Sequence, residues 1–366
     1  MTMIRFIGVL FLAFVHLGLA SKPKNVLFLV ADDMRPNLGA YKGFNKPLYS
    51  EPKMHTPNLD ALAAKSLLFN NAFDQESMCS PSRTSLLTGR RIDTTRVTQM
   101  DIYWREMGGN FTTIPQFFKE HGYFTTGAGK VFHPGPSSND NDQEFSWSEK
   151  YHHCGNKFRT VDPGHNSWFS LTDEELEEND LEDIVCADYI TEKLRELAPK
   201  AKSGEQPFFI AMGMKKPHLP WYFPERYFEY YPEDQVDLPY NPNSPTGLPD
   251  IAWHPFRMMH YDDCTPEAVG VECIGEMNCT YPDWKIKEQR RAYYASVTHS
   301  DNELGRVLDE LKNLGLEDDT IVSFWSDHGY TLGNIFFRSL VNTMRDIETY
   351  IMMNDTSTLK YICSVR

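Results

Sequence analysis

The sequence of 366 residues predicts an α/β protein built around a central, mostly parallel sheet. Short apolar runs alternate with stretches that carry helix-start signals or helical periodicity, and this order favours parallel strands joined by helices. The first run, residues 25–30, is apolar without interruption after its opening asparagine. A strand that is covered on both faces has this pattern.

The helices follow from capping and periodicity. Thr56 and Pro57 suit the start of a helix that we expect to run to about residue 69. A later helix begins near Glu288 and is predicted from apolar residues at i, i+3, i+4 and i+7, namely Leu304, Val307, Leu308 and Leu311. The other predicted elements are a helix over 114–121 and strands over 123–126, 207–212 and 320–325.

Two long segments, residues 135–180 and 230–283, are rich in Pro, Asn, Asp and Gly and lack a clear period. We expect them to be surface excursions. Within the first, the acidic run over 173–178 is interpreted as the solvated face of a helix.

The first twenty residues predict a secretory signal peptide. Arg5 precedes an apolar run that ends in small residues, and the run is shorter than the ~20 residues of a membrane span. We therefore expect a chain without a membrane span that enters the secretory pathway. Three sequons for N-glycosylation fit that route, at Asn110, Asn278 and Asn354.

The seven cysteines are an odd number, and setting Cys79 aside leaves six. That parity is consistent with disulfides in an oxidising compartment. Cys154 and Cys186 form one candidate pair, although the sequence leaves the connectivity open.

The formal net charge of −15 argues against nucleic acid as a partner. An anionic substrate would have to be held by a local basic pocket, because the field of the whole chain repels it.

Two predicted strands end in carboxylates, one followed by Asp32 and Asp33 and the other by Asp327 and His328. Ligands of open α/β sheets bind beyond the carboxyl ends of the strands, so these acids can converge. Oxygen-rich sites of this kind suit Ca²⁺ or Mg²⁺. Taken alone, each pair is more simply a turn or a helix cap.

Residues 79–90 read Cys-Ser-Pro-Ser-Arg-Thr-Ser-Leu-Leu-Thr-Gly-Arg, and this run resembles the signature of the sulfatase family. The resemblance implies that Cys79 is oxidised to formylglycine, whose hydrated aldehyde is the nucleophile. On residue type alone, a cysteine of an exported protein would be half of a disulfide.

Five further segments strengthen the resemblance, which extends with gaps over residues 25–333: 31–36, 88–96, 129–135, 216–220 and 326–330. They are similar to the subfamily of lysosomal exosulfatases that removes the 2-sulfate from terminal iduronate of heparan and dermatan sulfate. The resemblance implies an alkaline-phosphatase-like sandwich with a central, mostly parallel sheet. It also implies two partners, a sulfated glycosaminoglycan substrate and the formylglycine-generating enzyme.

Carried over by position, the resemblance gives each site residue a role. One Ca²⁺ ion would be bound, together with an oxygen of the residue made from Cys79, by Asp32, Asp33, Asp327 and His328. Arg83 would steady the nucleophile and Lys130 would hold a sulfate oxygen. His133 would be the base that completes turnover, and His218 the acid that protonates the departing sugar oxygen. Without the motifs, either histidine is as readily a hydrogen-bonded structural residue, and Lys130 an exposed lysine.

The resemblance ends at Gly333. We expect a signal peptide over residues 1–20, a catalytic domain over 21–333 that lacks the family's C-terminal subdomain and second sulfate-binding lysine, and a divergent tail over 334–366. Two alternatives to an active sulfatase stay open. In the first, the chain is an inactive sulfatase-like protein or a glycan binder. In the second, it hydrolyses another ester, although phosphatases of this superfamily use Ser or Thr as the nucleophile.

Overall fold

The computed structural model describes residues 22–42, 53–70, 72–239, 260–272, 281–330, 332 and 352–353. The predicted signal peptide and most of the predicted tail lie outside this part of the chain. The strands are β1 (Asn25–Ala31), β2 (Leu67–Leu68), β3 (Phe124–Gly129), β4 (Trp168–Leu171), β5 (Phe208–Gly213), β6 (Trp221–Pro224), β7 (Thr320–Ser326) and β8 (Met352–Met353).

Ten α-helical segments accompany these strands in the described residues. They are α1 (Pro57–Ala64), α2 (Cys79–Thr88), α3 (Ile92–Thr95), α4 (Trp104–Met107), α5 (Ile114–Glu120), α6 (Asn139–Ser146), α7 (Asp173–Glu178), α8 (Glu182–Ser203), α9 (Pro266–Val269) and α10 (Asp283–Asn313). In the described residues, no helix has the length and apolar character needed to cross a membrane.

The main sheet has six strands in the order β2-β8-β7-β1-β5-β3. The four strands from β7 to β3 pair in parallel, and β8 runs antiparallel to both of its neighbours. The α/β class and the central parallel sheet are therefore confirmed. The tail predicted over 334–366 contributes residues 352–353 to this sheet through β8.

Strand β1 shows why the sheet is buried on both faces. Alternate residues point to opposite sides. Leu27 and Leu29 belong to a core that includes residues of α8 and α10, whereas Val26 and Phe28 belong to a second core that includes residues of α2. Each core covers one face of the sheet, and the carboxyl ends of the parallel strands are left together at one edge.

Two predicted helix boundaries need correction. Helix α1 ends at Ala64 and not near residue 69, because the Ser66 hydroxyl donates to the Leu62 carbonyl (2.7 Å) and residues 67–68 pair with β8. Helix α10 begins at Asp283, five residues before Glu288, directly after Pro282.

The segment over 135–180 is not only a surface excursion. It contributes the buried rings of Trp147 and Tyr151 to a core, and β4 pairs in parallel with β6 in a separate two-stranded sheet. Its acidic run forms α7, which has no buried residue, so the prediction of a solvated helix face is confirmed. Of the segment over 230–283, residues 240–259 and 273–280 lie outside the described part of the chain.

Candidate functional site

The carboxyl ends of β1 and β7 bring the predicted acids together. These strands pair in parallel with Ala31 opposite Ser326, so the residues that follow them lie side by side. The Asp33 backbone N–H donates to Asp327 Oδ1 at 3.0 Å, and His328 Nδ1 lies 2.9 Å from Asp33 Oδ1. Asp33 has a φ of 63°, a left-handed conformation that Asp tolerates better than most residues. All of these side chains are buried.

Cys79 is the first residue of α2 and is 6% exposed. Its Sγ lies 3.3 Å from His328 Nε2, 3.4 Å from Lys130 Nζ and 3.6 Å from Asp32 Oδ1. Burial raises the pKa of the Cys79 thiol, although the Lys130 charge acts in the opposite direction. The sequence motif thus lies where the sheet gathers its carboxylates, about 250 residues away in sequence from His328.

Arg83 lies one helical turn beyond Cys79, and its guanidinium joins the two strand ends. Its Nε donates to Asp327 Oδ2 and its Nη2 to Asp32 Oδ1, each at 2.8 Å. The arginine is 1% exposed and both carboxylates are fully buried. A buried charge is tolerated only when it is paired and hydrogen-bonded, so these three side chains depend on one another.

Lys130 follows β3 and is buried, unlike the exposed lysine that its residue type alone suggests. Its Nζ donates to Asp32 Oδ2 at 2.5 Å. Burial acts to lower the pKa of Lys130, but the Asp32 carboxylate outweighs it and the pKa is raised. Burial likewise acts to raise the pKa of Asp32, and the charges of Lys130 and Arg83 hold it well below its ordinary value. Both groups are therefore charged in the folded protein.

His133 and His218 line the same region less tightly. His133 Nδ1 lies 3.0 Å from Ser137 Oγ, and burial lowers the pKa of His133 to about 4. His218 Nε2 lies 3.8 Å from Asp33 Oδ2, and burial lowers the pKa of His218 to about 3 despite the nearby carboxylates of Asp32 and Asp33. Burial therefore favours the neutral form of both imidazoles in the folded protein.

The acids, the histidine and the cysteine can share one cation. One ligand atom from each of Asp33, Cys79, Asp327 and His328 lies within 4.8 Å of the others, and the same is true of Asp32, Cys79 and His218. Three buried carboxylates supply the hard oxygen ligands that Ca²⁺ prefers. The donor set therefore fits the calcium ion that the sequence resemblance implies.

The sequence analysis missed the residues that hold the loop around His218. Asp183, near the start of α8, accepts the backbone N–H groups of Lys215 (2.6 Å) and Lys216 (3.0 Å). Lys216 Nζ in turn donates to the His218 carbonyl at 3.0 Å, and the Tyr330 hydroxyl accepts the backbone N–H that follows His218. Burial raises the pKa of Asp183 to about 7. An acid at a helix start is usually a cap, so the sequence gives no signal for this contact.

The described residues include some of the cysteines and one of the three sequons. Cys154 and Cys186 form a disulfide, as the sequence suggested, while Cys264 is a free buried thiol. Asn110 is exposed. The remaining cysteines and sequons lie outside the described residues, namely Cys273, Cys279, Cys363, Asn278 and Asn354.

Fold, motif and family comparison agree on the class of protein. A family model for sulfatases matches residues 24–350, and the chain belongs to the sulfatase family. The crystal structure of the phosphonate monoester hydrolase of Agrobacterium radiobacter superposes with a TM-score of 0.62 at 20% identity, covering 91% of this chain and 68% of that one. At this identity the structural likeness shows the fold alone.

Within the family, the chain is similar to iduronate 2-sulfatase. It is 39% identical to the Homo sapiens protein over 325 residues, which is 84% of this chain and 55% of the relative. It is 38% identical to the Mus musculus protein over 330 residues, 86% of this chain and 56% of the relative. The chain thus spans about half the length of the curated relatives it matches.

Proposed function

We propose that this chain carries the catalytic site of a sulfate-ester hydrolase whose substrate is the 2-sulfate of terminal iduronate in heparan or dermatan sulfate. The observation that carries the proposal is Cys79 of the Cys-x-Pro-Ser-Arg motif, buried within 3.6 Å of Asp32, Lys130 and His328. The names of the two relatives support iduronate 2-sulfate as the substrate, and the sequence resemblance supports its terminal position in heparan or dermatan sulfate.

Two groups complete the proposed chemistry. Formylglycine derived from Cys79 supplies a hydrated aldehyde oxygen as the nucleophile. Ca²⁺ bound by Asp32, Asp33, Asp327 and His328 supplies a Lewis acid that polarises a sulfate oxygen. The fit of the donor set described above supports the calcium ion, and the Cys-x-Pro-Ser-Arg motif supports the formylglycine.

Arg83 and Lys130 fix the charges around the nucleophile. Arg83 holds Asp32 and Asp327 in place through its two 2.8 Å contacts, so the carboxylates need no reorganisation during the reaction. Lys130 Nζ lies 3.4 Å from Cys79 Sγ, and in this proposal it donates to an oxygen of the sulfate that is attacked there. Preorganised donors of this kind stabilise the charge that develops in the transition state.

The two histidines are assigned to proton transfer. His133 is neutral in the folded protein, as a base must be, so it can accept the proton that is lost when sulfate is released. His218 lies on the side of Asp33 and would donate a proton to the departing sugar oxygen. Because burial lowers the pKa of His218, that role requires the negative charge of bound substrate to raise it again.

The proposal includes a cellular setting. The predicted signal peptide and the Cys154–Cys186 disulfide support passage through the secretory pathway, where the formylglycine-generating enzyme would act on Cys79. Delivery to the lysosome, with secretion as the alternative, is proposed from the sequence resemblance.

The proposal is tested by hydrolysis of a fluorogenic iduronate 2-sulfate at about pH 5, with protein made in a secretory cell. Mass spectrometry of the tryptic peptide that ends at Arg83 should show the Cys79 thiol replaced by an aldehyde. We expect turnover that is abolished in Cys79→Ala. Fully converted protein that binds the sulfated sugar without turnover would identify a glycan-binding protein and contradict the proposal.

A further inference from the structure

Tyr293 of α10 contacts the backbone of the turn that follows β1. Its hydroxyl accepts the backbone N–H of Arg35 at 2.9 Å and donates to the Asp33 carbonyl oxygen at 3.0 Å. The tyrosine is fully buried. An N–H group can only donate and a carbonyl oxygen can only accept, so one orientation of the hydroxyl satisfies both contacts. The phenol therefore closes the turn over residues 33–35.

The turn needs support because Asp33 has a φ of 63°. A residue other than glycine stays in this left-handed region only when its surroundings over-determine its conformation. Two contacts come from the end of β7 and the residue after it. The Met34 backbone N–H donates to Ser326 Oγ and the Asp33 backbone N–H to Asp327 Oδ1, each at 3.0 Å. Tyr293 adds two further contacts, and these come from a helix instead of the neighbouring strand.

The ring of Tyr293 is itself held in place. It packs edge to face with the rings of Trp221 and Tyr330, whose centroids lie 5.7 and 5.8 Å from its own. Trp221 belongs to β6, and the Tyr330 hydroxyl accepts the backbone N–H of Leu219 at 3.2 Å. Because the ring is packed on these neighbours in a buried position, the hydroxyl has a fixed place to which the turn is bound.

We propose that Tyr293 is a positioning residue for calcium, whose hydroxyl holds the Asp33 carboxylate in the orientation that binds the ion. This inference rests on the calcium site of the function proposed above. One ligand atom of Asp33 lies within 4.8 Å of one from each of Cys79, Asp327 and His328. The backbone that Tyr293 contacts sets the direction of that carboxylate. Removing a residue that orients a metal ligand typically weakens metal affinity by about ten- to a hundredfold.

The test is Tyr293→Phe, which removes the hydroxyl and keeps the ring. Calorimetry should show that Ca²⁺ affinity falls by about tenfold or more. Hydrolysis of iduronate 2-sulfate should require a correspondingly higher Ca²⁺ concentration. Saturating Ca²⁺ should restore kcat to within about threefold, because every proposed ligand is still present. A hydroxyl that only stabilises the fold would not shift this dependence on Ca²⁺.

Tyr281→Phe is the matched control, because the hydroxyl of this buried tyrosine also donates to a backbone carbonyl, that of Cys264, at 2.8 Å. With Ca²⁺ removed by a chelator, urea denaturation should show similar losses of stability in the two variants. Only Tyr293→Phe should bind Ca²⁺ more weakly.

The calorimetry does not need turnover. If the protein fails to hydrolyse the sulfate ester but the difference in Ca²⁺ affinity is intact, the proposed function is rejected and the role of Tyr293 stands. Unchanged Ca²⁺ affinity in Tyr293→Phe, an equal loss in Tyr281→Phe, or no Ca²⁺ binding by the unmodified protein would overturn the inference.

Discussion

Two groups of residues in the site are held by different forces. The first is a compensated cluster, in which buried acids and bases neutralise one another: Asp32, Asp33, Arg83, Lys130, Asp327 and His328. The second is a histidine wall, formed by His133 and His218 on loops after β3 and β5. The His218 side chain is 32% exposed, whereas none in the cluster exceeds 5%.

Because the two groups are held differently, we expect substitutions in them to affect stability and catalysis differently. Removing one member of the compensated cluster leaves a buried charge without its partner, so the fold and the reaction should suffer together. A residue of the histidine wall is neutral and hydrogen-bonded locally, so its removal should affect the reaction alone. Four variants test this contrast.

Arg83→Met should give the largest effect. Asp32 and Asp327 lose their 2.8 Å contacts to the guanidinium, and the free energy of unfolding should fall by about 3–5 kcal/mol. Urea denaturation measures the loss. Arg195→Met is the matched control, because that arginine is 61% exposed and paired with Glu310, and it should cost at most about 1 kcal/mol. Similar losses in the two variants would mean that the cluster is not held by charge compensation.

His133→Gln should impair the reaction and spare the fold. We expect kcat to fall by ~10²–10⁴ because the proposed base is lost, while the free energy of unfolding stays within about 1 kcal/mol of that of the unmodified protein. His153→Gln, on a histidine that is 49% exposed, should leave kcat unchanged. A kcat within tenfold of the unmodified protein would remove His133 from the proposed mechanism.

The compensated cluster could be predicted from sequence, and the support of the histidine wall could not. Asp32 and Asp327 follow apolar runs directly, and parallel strands bring their ends together whatever the intervening length. Asp183 reaches Lys215 and Lys216 across 32 and 33 residues, respectively, and across two elements, α8 and β5. No local pattern marks such a contact, because the partners of Asp183 are backbone N–H groups that every residue except proline carries.

The strands likewise divide into those that the sequence predicts and those that it does not. The four parallel strands of the main sheet were predicted, as the apolar runs of β1 and β5, buried on both faces, illustrate, whereas β2 and β8 were missed. The pairing of β4 with β6 was missed, since each has only four residues and a run rich in aromatic side chains suits several structures.

His299 is expected to make the stability of the fold sensitive to acid. This residue of α10 is fully buried, and burial, reinforced by the charges of Lys216, Arg226 and Arg306, lowers its pKa to about 3. Its folded pKa lies below the unfolded value of ~6.5, so the stability it contributes is present above that value and is lost as pH falls towards the folded pKa. Between pH 7 and 5 the loss is about 2 kcal/mol.

His299→Phe should therefore lose about 2 kcal/mol less than the unmodified protein when urea denaturation is compared at pH 7 and 5. His165→Gln, on a histidine that is 59% exposed, serves as the control and should lose as much as the unmodified protein. An identical pH dependence in His299→Phe would show that His299 does not carry this acid sensitivity.

Asp33→Asn tests the proposed metal site within the compensated cluster, and the expected change in Ca²⁺ affinity is the smallest of the four effects. Asn tolerates the left-handed φ of 63° at this position, so the backbone should be kept while one negative charge is removed. Since calcium affinity depends on the number of charged ligands, we expect about a tenfold weaker Ca²⁺ affinity by calorimetry. Glu178→Gln removes the same charge from an exposed side chain on helix α7 and should leave the affinity unchanged. If both variants bound Ca²⁺ equally, the convergence of carboxylates at the sheet edge would be structural, and Arg83 and Lys130 alone would explain why the acids are there.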